Sequence, residues 1–196
     1  MGIGRVVWGG ALAAGACAVG VAAIRGDDGP AVDRELFEQV NRGHGPQADR
    51  IFSGVTELGS LYASGGAAAA LIATGRGRAA ARAGAAALTT WVLLQALKRV
   101  VDRPRPSDAD PAGTILRIAR PHAQSWPSSH PAVLTTFTRV ASRELRSGAM
   151  TRAALSGVDL TVAASRVYLG VHYPSDVASG LLFGRAVARL WPRGRA

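Results

Sequence analysis

Residues 6–24 form a run of nineteen residues without a charge, and this run constrains the fold more than any other feature of the sequence. A helix of this length is about long enough to cross ~30 Å of hydrocarbon. The run and the short basic segment before it also fit a signal peptide, but a retained first helix makes the topology of the later segments consistent. We therefore expect a membrane span, followed by a loop at residues 25–30.

Five further apolar segments predict an all-α, polytopic membrane protein with six transmembrane helices. They are residues 55–74, 83–101, 131–141, 153–170 and 177–191. Residues 32–51 carry apolar side chains at helical spacing among charges, which predicts an amphipathic helix in the membrane interface after the first span. We expect a single domain, with the first span and the interfacial helix in residues 1–54 and a helical core in residues 55–196.

Three charges interrupt the last three apolar segments. Arg139, Asp159 and Arg185 share a depth of roughly 14–16 Å below the outer ends of their predicted spans. Because an unpaired charge inside a membrane is costly, we expect Asp159 to pair with one or both arginines.

The basic residues of the short loops favour cytoplasmic N- and C-termini. Residues 2–5, 75–82, 143–152 and 192–196 would lie on the inner side, and they contain one acid, Glu144. Their basic residues are Arg5, Arg76, Arg78, Arg82, Arg143, Arg146, Arg152, Arg193 and Arg195. The positive-inside rule gives this orientation. Residues 98–120 on the outer side are also basic, and this exception calls for a functional explanation.

The first outer cluster runs from Lys98 to Pro106 at the end of the third predicted span. Lys98 is the only lysine among 23 basic residues, as expected where a flat guanidinium does not fit. Arg105 lies between two prolines that disfavour continuation of the helix. By itself, this cluster is equally well explained by cations that reach lipid headgroups.

Two more clusters fall on the same side of the predicted membrane. In Trp126-Pro-Ser-Ser-His130, Ser128 and Ser129 can cap the helix that follows, whose free N–H groups favour an anion. Between the fifth and sixth spans, Arg166 offers a bidentate fork for phosphate oxygens. His172 offers an imidazole nitrogen, and Asp176 can accept the other ring N–H and so fix the tautomer. Each residue alone has a simpler explanation, as a helix cap or as a polar loop residue.

Together the three clusters indicate phosphoryl transfer. Their lysine and two arginines would neutralise phosphoryl oxygens, while one histidine attacks phosphorus and the other protonates the leaving oxygen. No carboxylate cluster for Mg²⁺ and no Walker loop occurs in the sequence, so we expect neither a metal nor another cofactor. The single cysteine, Cys17, excludes a disulfide framework and a four-cysteine zinc site.

The patterns K-x6-R-P (residues 98–106), P-S-S-H (127–130) and S-R-x5-H-x3-D (165–176) resemble the three signature motifs of the type 2 phosphatidate phosphatase superfamily. The resemblance implies that His172 is the nucleophile, that Asp176 orients it and that His130 is the general acid. It also implies phosphate binding by a further set, namely Lys98, Arg105, Ser128, Ser129 and Arg166. The family usually has glycine at the position of Ser129, where the missing side chain lets the backbone N–H approach the phosphate closely.

The resemblance to small bacterial members implies a plasma-membrane phosphatase with an extracytoplasmic active site and a polyprenyl diphosphate as substrate, of the undecaprenyl or decaprenyl type. Phosphatidate, phosphatidylglycerophosphate and a polyprenyl-linked sugar phosphate are alternatives. The partners expected are therefore a lipid phosphate and the bilayer. A non-enzymatic anion-binding scaffold or lipid transporter would use the cations without the histidines, and a haloperoxidase would need vanadate. The net charge of +10 also permits nucleic-acid binding. However, the arginines lie between and within the apolar segments and form no continuous basic stripe that a nucleic-acid backbone could follow.

Overall fold

The computed structural model describes residues 2–24 and 31–194, and within these ranges it contains helices and no β-strand. The predicted loop at residues 25–30 and Arg195 lie outside the described residues. The helices are α1 (Ile3–Ile24), α2 (Ala31–Val40), α3 (Pro46–Thr56), α4 (Leu61–Ala73), α5 (Gly77–Val100), α6 (Pro106–Ala109), α7 (Ser129–Glu144), α8 (Ala149–Tyr168) and α9 (Pro174–Leu190). The all-α class expected from the sequence is confirmed.

Helix α7 lies at the centre of the bundle. It packs against α5, α8 and α9, while α1 runs along α9 and α4 along α5. Val133, Phe137 and Val140 of α7 are buried against a face of alanines on α5. Alanine lets two helix backbones approach closely, which is how helices gain packing energy where hydrophobic burial contributes little.

Two glycines bring α9 against the start of α7. A Cβ atom on Gly184 would lie 2.6 Å from the carbonyl oxygen of Ala132, and one on Gly180 would collide with the backbone of Ser128. Only glycine permits this approach of the backbones. The start of α7, which carries His130, is therefore held close to the N-terminal half and middle of α9.

The prediction of one interfacial helix over residues 32–51 is wrong, because α2 and α3 are separate helices. The break is at Gly45, which has φ of +91°, a conformation that favours glycine, and at Pro46, which lacks a donor N–H. Asn41 fills the gap: its Nδ2 donates to the carbonyl oxygens of Ile115 at 3.0 Å and Tyr168 at 2.9 Å. The segment is thus fixed to the rest of the protein by specific hydrogen bonds.

The predicted span at residues 55–74 is also interrupted. A 3₁₀ turn, Glu57–Gly59, separates α3 from α4, and the Ser60 side chain caps α4 by accepting a hydrogen bond from Ala63 N at 3.0 Å. Helix α4 has 13 residues and is therefore ~20 Å long, which is shorter than a bilayer core.

One described helix segment, Ile3–Ala23, has the length and composition of a membrane span, with a mean hydropathy of 1.8. Helices α5, α7, α8 and α9 cover the other predicted apolar segments and carry charged residues. The number of six spans therefore stays a prediction.

The expected ion pair of Asp159 is not found among the described residues. Its carboxylate is 2% exposed and accepts a hydrogen bond from Thr138 Oγ1 at 3.2 Å, and it forms no ion pair with Arg139 or Arg185. The hydroxyl of a neighbouring helix thus supplies the hydrogen-bond partner, while Arg139 and Arg185 interact with the carboxylate electrostatically and without a close ion pair.

Candidate active site

The cavity of about 530 Å³ at one end of the bundle collects six of the residues that the sequence analysis selected. They are Lys98, Arg105, Ser129, His130, Arg166 and His172. They come from the end of α5, the loop after it, the start of α7, the end of α8 and the loop before α9. The other two selected residues, Ser128 and Asp176, are fully buried behind the wall of the cavity.

His172 lies in the short connection between α8 and α9 and is 2% exposed. The chain reverses at Gly170, whose φ of +81° favours glycine, so that the imidazole points into the cavity. Its Nε2 is 3.3 Å from Nη1 of Arg105. Because a guanidinium only donates, this contact makes Nε2 the unprotonated nitrogen. Burial, together with Arg105, Lys98 and Arg166, lowers the pKa of His172 well below its usual range. The imidazole is therefore neutral at physiological pH.

Asp176 lies behind His172 in the first turn of α9. Its Oδ2 is 3.4 Å from Nδ1 of His172, so the two nitrogens face different partners, the carboxylate on one side and the cavity on the other. The same carboxylate accepts hydrogen bonds from Ser125 Oγ at 2.5 Å, from the Tyr173 backbone N–H at 2.9 Å and from Arg103. Because these three donors occupy the oxygens of Asp176, Nδ1 of His172 makes no close hydrogen bond within the described ranges.

Three cations surround His172, and each is held by a neighbouring oxygen. Lys98 Nζ donates to the Gln124 carbonyl at 2.5 Å, and Arg105 Nη1 donates to the Val171 carbonyl at 2.7 Å. Arg166 Nη1 donates to Thr56 Oγ1 at 2.9 Å, while its buried Nε has no partner in the described part of the chain.

These three cations are more than nine-tenths buried. Burial lowers the pKa of Arg105, as expected for a charge taken out of water. One carboxylate, that of Glu57, lines the cavity with them. The excess of positive charge favours an anion with several oxygens.

The start of α7 forms the remaining wall. His130 packs against the 3₁₀ turn: a Cβ on Gly59 would lie 2.8 Å from the Cβ of His130. Ser128 occupies the N-cap position, but its side chain makes no capping hydrogen bond, so the predicted cap is wrong. The Ser129 hydroxyl faces the cavity and has one distant partner, Gln95 Oε1 at 3.5 Å.

Residues 79–195 match the PAP2 superfamily. This match covers more than half of the 196 residues. The chain belongs to the PAP2 superfamily. The match contains all three signature segments, and it confirms the resemblance inferred from them.

Curated members of the PAP2 superfamily that resemble this chain include two mycobacterial enzymes named decaprenylphosphoryl-5-phosphoribose phosphatase. The protein from Mycobacterium tuberculosis is 34% identical over 114 residues, which is 55% of this chain and 56% of the relative. The one from Mycolicibacterium smegmatis is 37% identical over 114 residues, 58% of this chain and 59% of the relative. The chain thus matches little more than half the length of these relatives.

Two crystal structures share the fold. Aquifex aeolicus LpxE superposes with a TM-score of 0.74 and 27% identity, over 82% of this chain and 94% of the other. The transmembrane PAP2-type phosphatidylglycerolphosphate phosphatase from Bacillus subtilis gives a TM-score of 0.71 at 20% identity, over 96% of this chain and 92% of the other. The second likeness supports the PAP2 fold alone.

The sequence analysis missed two buried residues behind the PAP2 motifs, Asp33 and Arg103. Arg103 Nη2 donates to Asp33 Oδ2 at 2.6 Å, and its Nη1 donates to Asp176. Asp33 also accepts from the backbone N–H of Ser175 at 2.8 Å. Helix α2 is thereby tied to the start of α9. Arg103 lay inside a recognised basic run, but no pattern in the sequence distinguished Asp33 from the other acids of α2.

Proposed function

We propose that the protein is a membrane lipid phosphatase that removes a terminal phosphate through a phosphohistidine intermediate. The observation that carries this proposal is one cavity lined by two histidines and three buried cations. A nucleophile, a proton donor and a set of phosphate ligands are what such a transfer requires. An anion-binding scaffold would need the cations, but it would have no use for a neutral imidazole backed by a carboxylate.

In the first step His172 Nε2 attacks phosphorus. The bond between phosphorus and the ester oxygen breaks as the N–P bond forms. His130, protonated once the phosphate dianion lies beside it, gives its proton to the departing oxygen of the substrate. Lys98, Arg105 and Arg166 bind the three peripheral oxygens, whose charge shifts during the transfer. Asp176 stabilises the positive charge that develops on the imidazole through Nδ1.

In the second step a water molecule attacks the phosphohistidine. His130, now neutral, accepts a proton from this water, the N–P bond breaks, and inorganic phosphate leaves. The imidazole of His172 returns to its neutral form. This cycle uses protein residues alone, so we expect hydrolysis to continue in EDTA.

We propose that the active site is extracytoplasmic in a bacterial plasma membrane, with α1, α4, α5, α7, α8 and α9 as the membrane-embedded helices. The arginines at the other end of the bundle support this orientation through the positive-inside rule. Because α4 is ~20 Å long, it reaches only part of the way across the bilayer core. Reporter fusions after α1, α5 and α8 test the orientation, and activity of a cytoplasmic reporter fused after α5 would contradict it.

For the substrate, we propose a polyprenyl-linked sugar phosphate. The curated relatives carry names of this class. In addition, Glu57, Ser60 and Gln95 line the cavity beside the cations. A carboxylate, a hydroxyl and an amide bind sugar hydroxyls well, whereas the second phosphate of a diphosphate would be repelled by Glu57. Apolar side chains of the same cavity, Leu61 and Trp91, suit a lipid tail.

A substrate panel in EDTA tests this function. We expect phosphate release to be fastest from a polyprenylphosphoryl-5-phosphoribose and slower from polyprenyl diphosphate, phosphatidate and phosphatidylglycerophosphate. His172→Ala should remove activity on all of them. Faster hydrolysis of the diphosphate would overturn the proposed substrate, and full activity of His172→Ala would overturn the proposed mechanism.

A further inference from the structure

The end of the bundle opposite His172 contains two adjoining cavities lined by arginines. One, of about 500 Å³, lies between α7 and α8, and the other, of about 470 Å³, lies between α1, α7 and α9. Both are lined by Arg139 and Arg143. Along α7, Arg139 and Arg143 are nine and thirteen residues beyond His130, which places them ~14 and ~20 Å from it. These cavities are therefore separate from the catalytic one.

Two of the arginines have a structural explanation. Arg143 Nη1 donates to the Ala188 carbonyl at 2.9 Å, and Arg5 Nη2 donates to the Trp191 carbonyl at 2.6 Å. Both contacts satisfy carbonyl groups at the C-terminal end of α9, where a cation also interacts favourably with the helix dipole.

Three other arginines of these cavities are not explained in this way. The side chains of Arg139, Arg185 and Arg189 make no hydrogen bond or ion pair within residues 2–24 and 31–194. Glu144 pairs with Nε of Arg82 at 3.1 Å and lies 3.7 Å from Nε of Arg143. Asp159 interacts electrostatically with Arg139 and Arg185, but this one carboxylate does not balance the arginines that line the two cavities, which therefore keep an excess of positive charge.

A second observation points to a ligand. Ser142 lines the cavity between α7 and α8, is 3% exposed, and its Oγ has no hydrogen-bond partner among the described residues. Leaving a buried hydroxyl without a hydrogen-bond partner is unfavourable, so a ligand that bonds to it would be stabilised. The Asp159 carboxylate, which would repel an anion, is bonded to Thr138 and does not line either cavity.

We propose that these arginine-lined cavities form a second anion site, which binds the phosphate group of an anionic ligand at the end of the bundle opposite the catalytic histidines. One guanidinium group can donate two parallel hydrogen bonds to phosphate oxygens, and the Ser142 hydroxyl supplies a further donor. The phosphate comes either from the headgroup of an acidic phospholipid or from a soluble phosphate ester. Basic pockets between membrane helices suit such headgroups.

Native mass spectrometry of the full chain, loaded with phosphatidylglycerol or phosphatidylcholine in detergent, tests the proposal. We expect the wild type to retain phosphatidylglycerol preferentially and R139Q/R185Q to lose this retention about tenfold. R50Q/R99Q removes two exposed arginines elsewhere and should bind as the wild type does. R166Q removes a cation from the catalytic cavity and should also keep the lipid.

Competition with inorganic pyrophosphate distinguishes the sources of the phosphate. Displacement of the lipid supports a site that also takes soluble phosphates, and failure to displace it supports a headgroup site. Equal retention by R139Q/R185Q and wild type, or a loss confined to R166Q, would overturn the proposal. If R139Q/R185Q does not fold, R146Q/R189Q, which changes two exposed arginines of the same cavities, is subject to the same criteria. Neither lipid retention nor its loss depends on the proposed catalytic activity.

Discussion

Replacing Arg103 by methionine tests how the carboxylate of Asp176, the proposed orienting group for His172, is held. Arg103 is 5% exposed, bonds to Asp33 at 2.6 Å and to Asp176, and lies 4.5 Å above the ring centroid of Tyr173. Methionine keeps much of the volume but leaves two buried carboxylates without their cation. Removing one partner of a buried ion pair costs about 3–5 kcal/mol. At about 2–4 °C per kcal/mol for a chain of this size, the melting temperature should fall by roughly 6–20 °C.

The assay is thermal unfolding in detergent, with hydrolysis kinetics measured at a temperature where the variant is folded. Because Arg103 does not line the catalytic cavity, kcat should fall more than KM rises. Arg120→Met is the matched control, since Arg120 pairs with Asp108 on the surface and such pairs contribute about 0–1 kcal/mol.

Asp33→Asn completes the comparison, because it leaves Arg103 paired with Asp176 and should therefore destabilise less than Arg103→Met. The effects of Arg103→Met and Asp33→Asn should also be non-additive, since the residues share one network. A melting temperature of Arg103→Met equal to that of Arg120→Met would refute this reasoning.

Three further predictions concern the cavity itself. Glu57→Ala should raise the ratio of kcat/KM for a polyprenyl diphosphate to kcat/KM for the sugar phosphate by about tenfold, since it removes the repelling carboxylate. An unchanged ratio would show that Glu57 does not select the headgroup. The NMR signal of His172 in histidine-labelled free protein is assigned by its absence from His172→Gln. At pH 5.5 this signal should still be that of a neutral ring, whereas an ordinary histidine with a pKa of about 6.5 is mostly protonated there. Titration of the signal near pH 6.5 would contradict the lowered pKa. Ser129→Gly should change kcat/KM by less than about threefold, because the Ser129 hydroxyl makes only a 3.5 Å contact with Gln95. A loss above about thirtyfold would mean that this hydroxyl binds phosphate.

The residues that line the candidate active site were more predictable from the sequence than the details of the fold. Lys98, His130 and His172 were selected because few residue types bind and attack phosphate, and the spacing of the motifs limits where they occur. Their convergence in one cavity follows from the packing of α5, α7 and α8. Composition and periodicity likewise predicted helices in every apolar segment.

The errors have two sources, namely local helix-ending residues inside an apolar pattern and tertiary contacts between residues distant in the sequence. The pattern continues through Gly45 and Ser60, but a positive φ at the first residue and a side-chain cap at the second end the helices there. Asp33 had the appearance of a solvent-exposed acid because its partner, Arg103, is 70 residues away in the sequence. Asp159 was expected to pair with a cation, whereas a hydroxyl of α7 satisfies it. The contacts of Asp33 and Asp159 have no local signature, whereas Gly45-Pro46 and Ser60 carry the local signals of a turn and of a helix N-cap.

The most direct test of the account is to trap the phosphoenzyme. The terminal phosphate of a lipid substrate with a good leaving group is labelled, and the protein is denatured after brief mixing. His130→Ala should accumulate label that is stable to base and labile to acid, because the first step no longer needs a proton donor while the second lacks its base. Peptide mapping should place this label on His172, and His172→Ala should carry none. Labelling of His172→Ala at another residue, or hydrolysis by His172→Ala at the wild-type rate, would contradict nucleophilic attack by His172.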